Sequence, residues 1–298
     1  QGLGDHVGDV QGVSNIEAPS TQRLYEAWVE TDFFRGGSLL LGLYDLNSEF
    51  YVTETAGLFL NASQGIGPEF GLTGEGGPSV YPFASLALRV AIPLSEALTW
   101  RGGILDGVPG APGSPESWGI DLSHHDGALL VSEFDWAPGE GRLRLAGGAW
   151  GYTSAFDALD EGTKVAHGNL GTYALVEGQL WGCTDEDACV RGFLRLGRAA
   201  PRFNQVAVAS GGGVVYEASP GGWSLGVAAA HAEAGGPYRA TEFNLGQREL
   251  GWELTALIPI NDYLSLQPDV QYIHDPGMGA PCRHVLVGGA RVSLNLRR

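Results

Sequence analysis

The side chains able to do chemistry are carboxylates, guanidiniums and amides, and they recur at every second position of apolar runs. "LYEAWVET" from Leu24 sets Glu26, Trp28 and Glu30 in one phase. "SLALRVAI" from Ser85 carries Arg89 opposite its leucines, and "GRLRLAGGAW" from Gly141 carries Arg142 and Arg144 opposite Leu143 and Leu145. The same phase holds Glu177, Gln179, Arg191, Arg195, Glu253, Gln267, Asp269, Gln271 and Arg291. A period of two puts such residues on one face of a strand. A wall of one sign would select ions. Opposed Arg and Glu offer donors and acceptors together, which suits neutral, hydroxyl-rich solutes held weakly enough to leave. The alternative is that these charges pair with each other and hold the shape of the protein.

Covalent or metal chemistry finds little footing. No G-x-S-x-G context and no convincing carboxylate pair stands out, so no catalytic residue is assigned. His124, His125 and Asp126 could ligate a metal, but adjacent side chains diverge, and a solvated loop cluster is the plainer reading. No metal ligand set and no cofactor is expected. Cys183 and Cys189 bracket "GCTDEDAC", a tight polar turn; a disulfide there or two reduced thiols both fit, and Cys282 is left over.

The elements that must position these residues are strands. "LSLQPDVQYI" from Leu264 alternates Leu264, Leu266, Pro268, Val270 and Tyr272 with Ser265, Gln267, Asp269 and Gln271, a half-buried strand pattern. About thirteen such segments start near Arg23, Ser38, Ser85, Leu98, Leu129, Arg142, Thr172, Val190, Val206, Trp223, Arg248, Leu264 and Val285. Helical periodicity is almost absent. Short connections ("FFRGG", "PLSEA", "APGEG", "GCTDEDAC", "SPGG", "IPINDY") alternate with long ones at 45–84, 106–126, 153–171, 197–205, 232–247 and 275–284. That alternation predicts an antiparallel transmembrane β-barrel with short periplasmic turns and long extracellular loops. Each short turn has an aromatic neighbour: Phe33 and Phe34, Trp100, Trp136, Trp181, Trp223 and Tyr263. Amphipathic rings belong at a membrane–water interface, although Trp181 and Tyr263 fall in the polar phase. Strand parity leaves both terminal strands running inward, so an odd number of strands is expected to be missing before Gln1.

Composition agrees. The chain has 298 residues, 44% of them apolar, and a net charge of −17. It can bury a sizeable core, and its acidity excludes nucleic acid as a partner. No apolar run approaches the ~18 residues of a membrane-spanning helix, which says nothing against a barrel.

Four stretches carry a resemblance: "VSNIEAPSTQRLYEAWVET" from Val13, "DLNSEFYVTETAGLFLNASQGIGPEF" from Asp45, "GPSVYPFASLALRV" from Gly77 and "YLSLQPDVQYIHDPG" from Tyr263. They resemble the carbohydrate-selective, OprB-type porins of Gram-negative outer membranes. The resemblance implies a barrel of about sixteen strands, of which about thirteen fall in this sequence. It implies passive diffusion of mono- or oligosaccharides, contact with outer-membrane lipid and lipopolysaccharide, and leaves a homo-oligomer open. The end "VSLNLRR" departs from the aromatic terminus usual in such barrels. Residues 1–22 then read as a loop remnant and 23–298 as the barrel. The long segment 45–84 is expected to fold into the pore and narrow it, with Glu49, Glu54, Asn61 and Glu69 as acceptors and Phe50, Tyr51, Phe59 and Phe70 as packing or stacking faces. A surface lid is the alternative. A general unselective porin and an adhesin without solute flux are the rival functions.

Overall fold

The computed structural model describes residues 2–110, 123, 125–139, 142–160, 165–183, 188–219, 221–241, 246–279 and 284–295. Its strands are β1 (Ala27–Phe33), β2 (Gly37–Tyr44), β3 (Ser85–Pro93), β4 (Leu98–Asp106), β5 (Ala128–Trp136), β6 (Leu143–Tyr152), β7 (Phe156–Asp157), β8 (Val165–Ala166), β9 (Leu170–Gly182), β10 (Cys189–Ala199), β11 (Val206–Glu217), β12 (Ser224–Ala234), β13 (Arg248–Pro259), β14 (Leu264–His274) and β15 (His284–Leu294). Thirteen of them form one antiparallel sheet in chain order; β7 and β8 make a separate small hairpin. Helices are short: α1 (Leu3–Val7), α2 (Pro68–Gly71) and α3 (Gly236–Thr241).

Alternation decides which face each strand turns outward. Leu88, Ile104, Leu130, Phe134, Leu194, Leu254 and Val270 are exposed, while Arg89, Leu105, Leu129, Glu133, Phe193, Glu253 and Asp269 are buried. An apolar outer band with polar groups inside is the reverse of a soluble barrel and matches a lipid-facing one. Buried residues of strands from β3 to β14 touch one segment, 45–84. Only a sheet curled around that segment allows this.

The main core lies where the segment meets β2–β6, β9 and β10, and includes Phe50, Tyr51, Phe70, Leu129, Trp150 and Tyr173. Tyr51 stacks on Tyr173 at 4.1 Å between ring centroids, and Phe70 on Trp150 at 4.6 Å. Offset ring pairs of this kind add to the burial of area. Residues 2–17 enter the same space: Val7 and Val13 pack on Ile273, and the amides of Ala62 and Ser63 bond to the carbonyls of Gly12 and Gln11.

Two local features differ from the sequence expectation. The first strand begins at Ala27 rather than near Arg23. Residues before it are held elsewhere: the Arg23 guanidinium lies 4.4 Å over the Phe83 ring, and the Tyr25 hydroxyl bonds Asp45. The second is a β-bulge between β9 and β10. Val190 faces Trp181 and Arg191 faces Gln179, so Leu180 is the extra residue. The bulge turns Trp181 to the outer face, where it is 64% exposed, and removes one of the two apparent breaks in the aromatic girdle, leaving Tyr263. Beside it, Cys183 and Cys189 are joined by a disulfide. Cys282, His124 and the final "LRR" lie outside the described residues.

Candidate functional site

The inward phases form two dissimilar regions. Along β5, β6, β9, β10, β13 and β14, wall side chains grip the backbone of segment 45–84. Glu133 accepts from the Tyr51 amide at 2.8 Å and from the Tyr173 hydroxyl at 2.8 Å. Arg144 donates to the Val52 carbonyl at 2.7 Å. Glu177 accepts from the amides of Glu54 and Thr55 at 3.1 and 2.8 Å. Gln267 donates to the Leu58 carbonyl at 2.6 Å. Glu253 accepts from the amides of Leu60 and Asn61 at 2.5 and 3.1 Å. Arg195 donates to the Gln64 carbonyl at 3.0 Å. Glu249 does the same for the N-terminal segment, taking the amides of Val10 and Gln11 at 3.0 and 3.2 Å. An irregular segment has amides without strand partners, and burying them unbonded would be costly. Ionised acceptors give the stronger class of hydrogen bond.

A chain of ion pairs supports these groups. Arg101 meets Asp135 at 2.9 Å, Asp135 meets Arg144 at 3.0 Å, and Arg144 meets Glu177 at 2.8 Å. Glu69 of α2 is fully buried; its Oε1 accepts from the Tyr51 hydroxyl at 3.0 Å, and Oε2 has no hydrogen-bond partner. Burial pushes its carboxyl up to about 7, against the opposing pull of Arg195.

The second region lies at β1–β3. Arg89 reaches Glu30 at 2.8 Å, Glu49 at 2.7 Å and the Ser38 hydroxyl at 2.5 Å. The Tyr44 hydroxyl donates to Glu49 at 2.5 Å. Arg89 itself is buried, but Glu30 and Glu49 stay about one-third exposed. Trp28 shares the phase of Glu30 and is 47% exposed. Its cross-strand partner is Gly42, where a Cβ would stand 2.4 Å from the Trp28 Cα. Glycine is needed there, at φ 150°, for β1 to lie so close. Glu26 accepts from the Asp45 amide at 3.0 Å beside them.

The residues singled out from the sequence therefore divide. Glu26, Trp28, Glu49 and Arg89 meet at the β1–β3 corner. Arg144, Glu54, Asn61, Glu69, Asp269 and Gln271 belong to the gripped region; the Asn61 amide donates to Gln271 at 3.0 Å, and Gln271 donates to Asp269 at 3.1 Å. Arg291 bonds Asn15 at 2.6 Å. Arg142 sits exposed at the short-turn end and has no hydrogen-bond or ion-pair partner for its guanidinium among the described residues. Phe50, Tyr51, Phe59 and Phe70 are all buried. Sequence reading missed Arg101, Glu133, Asp135 and Glu249. A signal existed for Glu133 and Asp135: β5 is apolar on both faces, so two acids in it demand partners. Among the described residues no group of three or more His, Cys, Asp or Glu is placed to hold a metal, and no helix is long and apolar enough to cross a membrane.

An antiparallel sheet that is apolar outside, charged inside and curled around its own longest connection is an outer-membrane porin barrel. The chain belongs to the carbohydrate-selective porin, OprB family, whose sequence model matches residues 1–296. It is a carbohydrate-selective channel of the Gram-negative outer membrane. Among solved structures, Pseudomonas putida OprB in its high-pH form superposes with a TM-score of 0.82 at 18% identity, covering 97% of this chain and 77% of that one. Pseudomonas aeruginosa OccK11 (OpdR) gives 0.50 at 12% identity, covering 91% and 76%. No curated protein sequence matches the chain.

Proposed function

We propose that mono- or oligosaccharides cross along the β1–β3 corner, and that segment 45–84 narrows the pore by occupying the rest of the lumen. One observation carries this reading. The polar side chains of the gripped region are spent on backbone groups and ion pairs, whereas Glu49 keeps accessible surface beside Arg89, and Glu30 and Trp28 keep it on β1, the edge strand of the sheet. A ring face takes the C–H side of a pyranose, and carboxylates beside it accept from the hydroxyls. Arg89 holds the two acids in place and lowers the local negative charge, so neutral solutes are favoured over cations. Transfer is passive, with no catalytic step. Lipid and lipopolysaccharide surround the outer band, and copies of the chain associate through it.

The test is conductance of the inserted protein in a planar bilayer while neutral sugars are titrated. Saturable closure by one sugar class is expected. Conductance that sugar leaves unchanged would make the protein a general porin, and no conductance from a folded barrel would favour an adhesin.

A further inference from the structure

Segment 45–84 changes character at one residue. Residues 46–50 form a tight coil: the Phe50 amide bonds the Leu46 carbonyl at 2.8 Å, and the Asn47 side-chain amide donates to the Phe50 carbonyl at 3.1 Å. From this coil Glu49 reaches Arg89 and the Tyr44 hydroxyl at the β1–β3 corner. From residue 52 onward the chain is held by Arg144, Glu177, Gln267 and Glu253. Tyr51 stands between the two, and its backbone is left-handed, with φ 59°.

A helical coil commonly ends in a left-handed residue, usually glycine, because a Cβ crowds the following carbonyl there. For a bulky residue the conformation is an outlier that the surroundings must impose. Among the described residues, four other non-glycine residues share a positive φ, and none of them lies in segment 45–84.

The surroundings of Tyr51 do impose it. The residue is 1% exposed. Its amide donates to Glu133 at 2.8 Å, and the same carboxylate takes the Tyr173 hydroxyl at 2.8 Å. The Tyr173 ring lies on that of Tyr51 with 15° between the planes. The Arg195 guanidinium lies over the Tyr51 ring at 5.8 Å, and the Tyr51 hydroxyl donates to Glu69 at 3.0 Å. β10 makes room for that hydroxyl with a glycine: a Cβ on Gly197 would stand 2.8 Å from it. Amide, ring and hydroxyl are thus fixed from four elements, β5, β9, β10 and α2. Together they set the dihedral angle that relates residues 46–50 to the clamped run. A φ in the usual negative range would swing Glu49 off its line to Arg89.

We propose that Tyr51 is the positioning residue of the sugar site: the clasp around it holds a left-handed backbone, and that backbone aims Glu49 at the β1–β3 corner. The inference rests on the reading of Glu49 as a solute acceptor. Tyr51 itself touches no solute.

The experiment measures sugar block of conductance and thermal unfolding for Tyr51→Gly, Tyr51→Asn, Tyr51→Ala and Tyr51→Val. All four lose the ring and its hydroxyl, so all four should melt below wild type. They differ in tolerance of left-handed backbone, best in glycine, then asparagine, then alanine, and worst in β-branched valine. Sugar dissociation constants should rise in that order, about tenfold from glycine to valine. Side-chain size ranks alanine before asparagine, so the two orders separate. If the asparagine variant misfolds, Tyr51→His, also large and tolerant, replaces it. Affinity that is equal across the series, or that follows size, would overturn the proposal. Glu49→Gln is measured alongside. If it leaves block at wild-type strength, the corner reading falls and the inference with it. If it weakens block while the Tyr51 series is flat, only the inference falls.

Discussion

The lumen uses one chemical alphabet for two ends. At β5–β14 the carboxylates of Glu133, Glu177 and Glu253 are buried and face amide groups of segment 45–84. At β1–β3 the carboxylates of Glu30 and Glu49 lie 2.8 and 2.7 Å from Arg89, yet keep open surface. Residue type is the same in both, and Glu30 shares the inward strand phase of Glu133, Glu177 and Glu253, while Glu49 comes from segment 45–84 itself. What differs is the facing group: an irregular backbone with unmet donors in one case, open lumen in the other. A charge on an inward phase is thus a structural clamp or a solute contact according to what lies opposite.

The comparison can be broken most forcefully at the clamp. Glu177→Ala should orphan the amides of Glu54 and Thr55 and leave Arg144 short of a partner, costing about 3–5 kcal/mol. Thermal unfolding in detergent measures this, and conductance should rise and become noisy as the segment loosens. An unchanged melting point would mean that Glu177 does not hold the segment.

Next in size is a pH effect at Glu69. Its carboxyl is raised to about 7 in the folded protein. Below the ordinary glutamate range both folded and unfolded states are protonated, and the shift costs nothing. As pH climbs past about 4.5 the unfolded state ionises freely, while the folded state stays protonated until about pH 7 and must then carry a buried charge. Stability should therefore fall between about pH 4.5 and 7, by roughly 3 kcal/mol once above it. Glu69→Gln should flatten that part of the profile. A profile the same in wild type and variant would remove Glu69 as its source.

The β1–β3 corner should respond in transport more than in stability. Arg89→Ala leaves Glu30 and Glu49 together without their cation; sugar block should weaken about tenfold, and reversal potentials should shift toward cation selectivity. If block persists and only the melting point drops, Arg89 belongs with the clamps. The smallest effect is expected of Trp28→Ala, about fivefold weaker block from loss of a ring face worth ~1 kcal/mol, with unfolding unchanged.

The strands were legible because alternation is a local property. "LSLQPDVQYI" predicts the start of β14 and all but its last residue, and most strand starts fall within two positions of the observed ones. Trp181 misled because a bulge shifts phase by one residue, and nothing in "QLWG" announces it. The division of the site was not legible. Glu253 and Leu60 are 193 residues apart, and Glu177 and Thr55 are 122 apart. Only the curled fold decides that Glu253 meets a backbone amide, and Trp28 lies on the edge strand of the sheet. Residues 2–17 were hidden for the same reason: their bonds to Glu249 span more than two-thirds of the chain.

Glu133, Arg144, Glu177, Glu253, Arg195 and Gln267 hold segment 45–84 by its main chain. Exchange of the side chains at 54, 57 or 62 leaves every acceptor on the wall still matched to an amide. At those three positions the segment's course is insulated from the side chain, while the buried rings at 50, 51, 59 and 70 hold it through packing. Such a protein can drift in solute preference through mutation of its interior loop without re-inventing the barrel, and recombined loops of equal length that keep the buried rings at 50, 51, 59 and 70 should retain the melting behaviour of the parent. In this sense the wall behaves as a socket, and the evolvable part of the channel is the piece plugged into it.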